Sequence, residues 1–310
     1  MSDSNVGIPW AVDATGRVFD RWAADRDPKP FIIPLRCGGC TLSPVQAVKG
    51  WPHKQGKYVA PLYRRPVGGE HDPGCRYDFD HQADQLVHES RGHIIKRQGL
   101  YRLLLPDPTD RVDSPDPIGP PRSDVPRSRQ VIDPSPYGPY GEALNNAARI
   151  ARLLRTFDNA PDAVNRFRAV HHDAEIAWPD FYITPARIGH AADLLDAGAV
   201  HPMAVHGVVR HRGPSAKRDS YVVGHRTDQL RQVNGETRAL TISIRTRQQW
   251  IYDQLPVGTP FLGFGVWNVF APQHGRFVEV RLWARGRWNY TTDIDHPDQP
   301  ATAPPTHRHD

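Results

Sequence analysis

The sequence predicts a multidomain α+β protein: a small metal-stapled α/β module, a Pro-rich linker, a short helical segment and a C-terminal five-stranded β-barrel. Three observations predict it. All three cysteines, Cys37, Cys40 and Cys75, fall within one 39-residue window. Residues 106–141 carry ten prolines in 36 positions, with Asp, Ser and Arg filling most of the rest, a composition that builds no core. From residue 201 the apolar pattern spells three strands, a helix and two more strands. The expected divisions are therefore 1–105, 106–141, 142–200, 201–290 and a disordered tail, 291–310.

The first module is read from its cysteines. Cys37-Gly38-Gly39-Cys40 and His71-Asp72-Pro73-Gly74-Cys75 give the pattern C-x2-C-x30-H-x3-C. A CxxC turn aims two thiolates at one point, and the glycines between them let the backbone fold that tightly. Asp72-Pro73-Gly74 is a turn-forming tripeptide that brings His71 and Cys75 together in the same way. Four ligands in two pairs are what a closed tetrahedral structural zinc site needs, so Cys37, Cys40, His71 and Cys75 are the expected Zn2+ ligands, with His53 and His81 as substitutes for His71. The alternatives are unrelated buried thiols or a redox pair at Cys37 and Cys40. The latter asks for a strand before and a helix after, and Pro44 argues against that helix. Around the cysteines, 31–36 and 58–64 read as strands, 80–90 as a helix, and 93–96 with 101–105 as a hairpin.

The four-ligand arrangement resembles the N-terminal zinc region of competence CoiA-like proteins, a likeness that spans at most residues 31–105. The resemblance implies a coupled restriction-type nuclease domain. This chain departs from that pattern, because such a nuclease wants clustered acids and a Lys in an E-x-K strand. Here Glu236-Thr237-Arg238 and Glu279-Val280-Arg281 place Arg at the Lys position, and Asp180 stands far upstream. Arg does not give up its proton to act as a base. No Gly-rich phosphate loop, G-x-S-x-G elbow or H-E-x-x-H motif is present. His171-His172-Asp173 with Glu175 is dense in catalytic residue types, but adjacent side chains on one element point to different sides. The reading therefore leans away from an enzyme.

After the linker, Leu144, Ala147, Ala148, Ala151, Leu154 and Phe157 recur at helical steps, with Arg149, Arg152 and Arg155 on another face. That Arg ridge is a solvated face or a phosphate contact. Residues 186–197 read as a second helix, with Thr184 as N-cap candidate, Pro185 at its start and Gly198 past its end. Between the helices, 174–183 reads as a packed connector with aromatic anchors.

The last unit reads as strands 204–210, 220–226 and 239–245, a helix at 247–255, and strands 261–270 and 277–285. Leu240, Ile242 and Ile244 share a parity, as do Val278, Val280 and Leu282, so one face is filled. Thr241, Ser243 and Arg245, and Phe277, Glu279, Arg281, Trp283 and Arg285, then face outward. Three strands, a helix and two strands resemble the OB-fold over roughly residues 201–290, a likeness of element order rather than of a motif. The resemblance implies a ligand face on the second and third strands, flanked by the loop 211–218. On that basis Arg212, Lys217, Arg218, Tyr221, His225, Arg226, Arg245 and Arg247 are the candidate nucleic-acid-binding residues.

Charge agrees with that reading. Residues 201–290 hold thirteen Lys or Arg against five acids, a net of +8, which leaves −3 for the rest of a chain whose total is +5. A basic unit on a slightly acidic remainder suggests a polyanion, most often nucleic acid. Only six of the 39 basic residues are Lys, so a preference for Arg by itself says nothing about phosphate. The N-terminus has no basic n-region or apolar h-region and no stretch approaches 18 apolar residues, which predicts a cytoplasmic protein with reduced cysteines and no membrane partner. The expected function is nucleic-acid binding, favouring single strands. A protein-interaction adaptor using Phe277 and Trp283 is the alternative.

Overall fold

Most of the regular elements in this computed structural model are short strands; it describes residues 6–40, 43–52, 58–106, 138–215, 219–273 and 275–294. The residues in the middle of the linker, in the C-terminal tail, and at Lys217, Arg218 and His53 lie outside that set. No helix among the described residues is long and apolar enough to cross a membrane.

The chain begins with β1 (Trp10–Val12), β2 (Val18–Asp20), β3 (Leu35–Cys37), β4 (Pro44–Val48), β5 (Trp51–Pro52), β6 (Tyr58–Val59) and β7 (Leu62–Arg64). Helix α1 (Phe79–Glu89) follows, then β8 (Ile94–Arg97) and β9 (Leu100–Leu104). The first sheet runs β2-β1-β3-β4-β7. Its first two strands were not expected, because three residues each are too few to show a period. Asp78 caps α1 by accepting the amide of His81. The β8–β9 hairpin turns on Gln98 and Gly99, both at positive φ.

Beyond the linker come α2 (Gly138–Thr156), α3 (Pro161–Val164), β10 (Phe167–His171), β11 (Ala174–Ala177), α4 (Trp178–Phe181), β12 (Tyr182–Ile183) and α5 (Ile188–Asp196). The expected connector at 174–183 is thus a strand, a one-turn helix and a second strand. His172 and Asp173 have φ of 47° and 63°, which makes them the two-residue turn of the β10–β11 hairpin and accounts for two of the four polar residues grouped there. Thr184 makes no side-chain cap bond.

The second sheet runs β11-β10-β9-β8, with β9 and β10 parallel and Tyr101 opposite Phe167. Segments on the two sides of the linker, read from sequence as separate pieces, are therefore neighbours in one sheet. They also share one core, in which Phe79 meets Phe157 edge-on at 5.3 Å and Tyr101 stacks on Phe167 at 5.2 Å. Arg21 reaches across from the first sheet and donates to the carbonyl of Phe157 at the end of α2. Parallel pairing across a proline tract leaves no local periodicity, which is why it was not legible.

The last unit contains β13 (Met203–Val208), β14 (His211–Pro214), β15 (Tyr221–Val233), β16 (Glu236–Thr246), α6 (Gln249–Asp253), β17 (Pro260–Gly265), β18 (Asn268–Phe270), β19 (Phe277–Trp283) and β20 (Tyr290–Thr291). Among the described residues its strands form two sheets rather than one closed barrel, β12-β13-β17-β20 and β14-β15-β16-β19-β18. The expected first strand stops at Val208, and the first half of the loop expected at 211–218 is the strand β14; the expected fourth strand is broken between β17 and β18. At that break, Gly265 has φ of 149° and Trp267 turns inward, donating its indole N–H to the carbonyl of Met203. The second and third strands extend well beyond 220–226 and 239–245 because Asn234-Gly235, both at positive φ, closes them into a long hairpin. Val205, Val223, Ile242, Ile251, Phe261 and Val280 form the core between the sheets.

Candidate functional site: a four-ligand cluster and a charged sheet face

The central strand β3 ends on Cys37, whose amide donates to the carbonyl of Ser43 and whose neighbour on β1 is Ala11. Cys40 then folds back, its amide 3.4 Å from the Cys37 carbonyl, and the Gly39 amide lies 3.4 Å from the Cys37 sulfur. The second knuckle closes similarly, with the Cys75 amide on the Asp72 carbonyl and Gly74 at φ 79°. Cys37 and Cys75 are buried; Cys40 and His71 are half-buried.

The ligand atoms of Cys37, Cys40, His71 and Cys75 all lie within 4.8 Å of one another. Cys37 Sγ is 3.8 Å from Cys75 Sγ, and Cys40 Sγ is 3.4 Å from His71 Nδ1. An ion holding sulfur at about 2.3 Å and imidazole nitrogen at about 2.0 Å in tetrahedral geometry sets sulfurs about 3.8 Å apart and sulfur from nitrogen about 3.5 Å. The donor set fits such an ion in identity and in spacing. Without a cation, the contact between the two buried sulfurs and burial itself push the Cys37 thiol up, while hydrogen bonds from Cys37 and His71 pull Cys75 down to about 4. A tetrahedral ion held by all four donors would have no coordination position open for substrate. His81, exposed on α1, is not part of the cluster.

Gly39 makes this knuckle possible. A Cβ placed there would stand 2.8 Å from Tyr77 Cδ2 and 3.0 Å from Cys75 Sγ. Gly39→Ala is therefore expected to destabilise the fold by about 1–3 kcal/mol through overpacking and to weaken metal retention in a chelator competition. An alanine variant that retained metal and stability like the parent would contradict this account of the knuckle.

The second candidate lies on the sheet β14-β15-β16-β19-β18. Val223, Ile242, Ile244, Val280 and Leu282 point into the core, so alternate residues form the opposite face. Register arranges that face in rows. One runs Arg226, Thr241, Glu279, Phe270; the next runs His211, Gly224, Ser243, Arg281, Asn268; a third holds Val222, Arg245 and Trp283. Arg245 clasps Glu279 through Nε and Nη2 at 3.0–3.2 Å, and Arg281 meets the same carboxylate at 3.2 Å. Arg281 also lies 3.8 Å over the ring of Phe270, and Arg226 4.5 Å over that of Phe277. Three guanidinium groups against one carboxylate leave the patch at +2.

The centre of the face is thin. A Cβ on Gly224 would stand 2.2 Å from His211 Cε1, so the imidazole lies directly on the glycine backbone. Burial, then the charge of Arg226, pushes His211 below the usual histidine range, with Glu279 opposing. Ser243, 2% exposed, has a buried hydroxyl with no hydrogen-bond partner. At the rim Phe270 and Trp283 are 41% and 40% exposed.

The structure separates the residues expected from sequence. Arg226 and Arg245 stand on this face. His225 is a correction: opposite Ile242 it is buried, with Nδ1 2.9 Å from both the amide and the carbonyl of Val208, so it ties strands together. Tyr221 has the same parity and stacks on Tyr252 of α6 at 4.7 Å. Arg212 lies 3.8 Å over the other partner of that stack, Tyr252, and donates to its carbonyl, so it is committed to α6. Arg247 is exposed beyond β16. Sequence reasoning missed His211, Phe270, Glu279 and Arg281 as site residues; the alternation of β19 had already turned Glu279 and Arg281 outward.

No protein-family model and no curated protein sequence matches the chain. Among solved structures, a small single-stranded DNA-binding protein from Mycoplasma pneumoniae is similar at 11% identity, over 27% of this chain and 88% of that one, with a TM-score of 0.19.

Proposed function

We propose that the chain is a nucleic-acid-binding protein with a structural zinc ion, and that a single strand lies across the β15–β16–β19 face. Zinc is the reading of the N-terminal cluster because three thiolates and an imidazole in a closed tetrahedral set are its preferred ligands. The C-terminal unit is read as OB-type. Taken as one bent strand, β13 and β14 pair with both β17 and β15; β15 pairs with β16, and β16 runs parallel to β19. The observation that carries the function is the outer face itself, where Arg226, Arg245 and Arg281 sit among the rings of Phe270, Phe277 and Trp283. Guanidinium groups meet phosphates and exposed rings stack on bases, the combination that single-strand binders use.

Phe270 and Trp283 also favour a second reading, an adaptor that docks a protein partner on the same edge. Salt separates the two. With three phosphate contacts, single-strand affinity should fall with salt at a log–log slope of about −2. A titration of fluorescent oligothymidine and of the matching duplex across salt is expected to show that slope and to favour the single strand. Binding that is flat in salt, or absent, contradicts the nucleic-acid reading.

A further inference from the structure

An open groove runs between α1 and α2, lined by Arg76, Arg149 and Arg152 with Gln82, Gln85 and Glu89. It adjoins the metal cluster, since Arg76 follows the ligand Cys75 directly. Three guanidinium groups face one carboxylate there. That carboxylate is already engaged, accepting from Arg149 on one oxygen and from Gln85 on the other. Arg152 lines the groove's rim, its Nη2 3.6 Å from the Asp293 carboxylate and 3.5 Å from the carbonyl of the same residue.

Arg76 is the telling residue. Its guanidinium packs 4.8 Å over the ring of Tyr77, and its Nη2 is buried with no hydrogen-bond partner. A buried donor on a permanent cation is costly unless an acceptor reaches it, and an anion entering the groove supplies one. An oxygen-rich, multiply accepting anion suits several guanidinium groups at once, and phosphate is that class.

We propose that the α1–α2 groove is a second anion site, which takes phosphate groups of a nucleic-acid backbone. Its observations are independent of the β15–β16–β19 face, and the two sites together would hold one polyanion at two points on the chain. Linked weak sites raise overall affinity without new contacts of their own.

The test uses the full chain with Arg149→Gln and Arg152→Gln combined, both on the solvent side of α2, and oligothymidine long enough to reach both sites. Loss of two phosphate contacts should lower affinity about tenfold at low salt and make the salt slope shallower by about 1.4. Affinity and slope both unchanged overturn the proposal. Arg76→Gln is the companion variant; if it disturbs the metal knuckle, the double variant still decides.

A direct readout follows the Arg76 side-chain N–H resonance while oligothymidine or inorganic pyrophosphate is added. Movement with oligothymidine, with or without a response to pyrophosphate, is expected. Movement with pyrophosphate alone makes this a small-phosphate site and overturns the backbone assignment, as does movement with neither. Repeating the titration with Arg226, Arg245 and Arg281 replaced by Ala keeps the readings apart. If the outer face fails as a binding site, Arg76 still responds; if the groove fails, only the outer-face variant loses affinity.

Discussion

Removing the metal from Cys37, Cys40, His71 and Cys75 is expected to lower the first unfolding transition by about 10 °C or more, since a net loss of only about 4 kcal/mol suffices for a unit of this size. The physical reason is the smallness of what the metal fastens. Strands β1, β2, β3 and β7 have three residues each, and the first sheet buries Ile8, Phe19, Leu35, Val45 and Tyr63 as its main apolar groups. Structural zinc can contribute about 10 kcal/mol or more in small modules, comparable with the whole stability of a domain. An ion held there would also close a long loop, because Cys37 and Cys75 lie 38 positions apart. Metal analysis should find one equivalent of zinc in the native protein, and Cys75→Ser should reproduce the chelated state. The core around Ile242, Phe261 and Val280 is separate, so a second transition should persist. Metal-free protein that melts like the parent contradicts the staple.

The second large effect concerns the outer face. Replacing Arg226, Arg245 and Arg281 together by Ala removes three charge-assisted contacts of about 1.5 kcal/mol each, so single-strand affinity should fall about a thousandfold at low salt. The salt slope should become shallower by about 2 at the same time. Trp283→Ala acts differently: loss of one stacking partner should cost about 1–3 kcal/mol and leave the slope alone. Arg212→Ala is the control. Its guanidinium is spent on Tyr252 and on Asp253 at 3.8 Å, so it should move stability rather than slope. Equal slopes for the parent and the triple variant, measured by anisotropy, would remove the outer face from the account.

The two candidate sites differed in how far the sequence disclosed them, and the reason is the range of the contacts. Each half of the metal cluster is a turn of four or five residues, so Cys37-Gly38-Gly39-Cys40 and His71 to Cys75 declare themselves locally. The outer face needs the parallel register that sets Thr241 beside Glu279 and Ser243 beside Arg281. Alternation along β19 oriented those side chains but named no neighbour for them. Along Tyr221-Val222-Val223-Gly224-His225-Arg226 two valines and a glycine blur the alternation, so Tyr221, His225 and Arg226 read alike as face residues although they differ in parity. Val223 decides it: being in the core, it takes His225 inward and leaves Arg226 outside. Asn234-Gly235 was a hairpin signal in plain sequence, and it accounts for the true length of β15 and β16.

Photocrosslinking tests most directly whether a single strand lies on the β15–β16–β19 face. Full-length protein irradiated with a bromouracil-substituted single strand, digested and sequenced by mass spectrometry, should carry its adducts on Phe270, Phe277 and Trp283. Adducts confined to exposed aromatics of the first sheet and its connections, such as Trp22 or Trp51, with none on β18 or β19, would contradict the account.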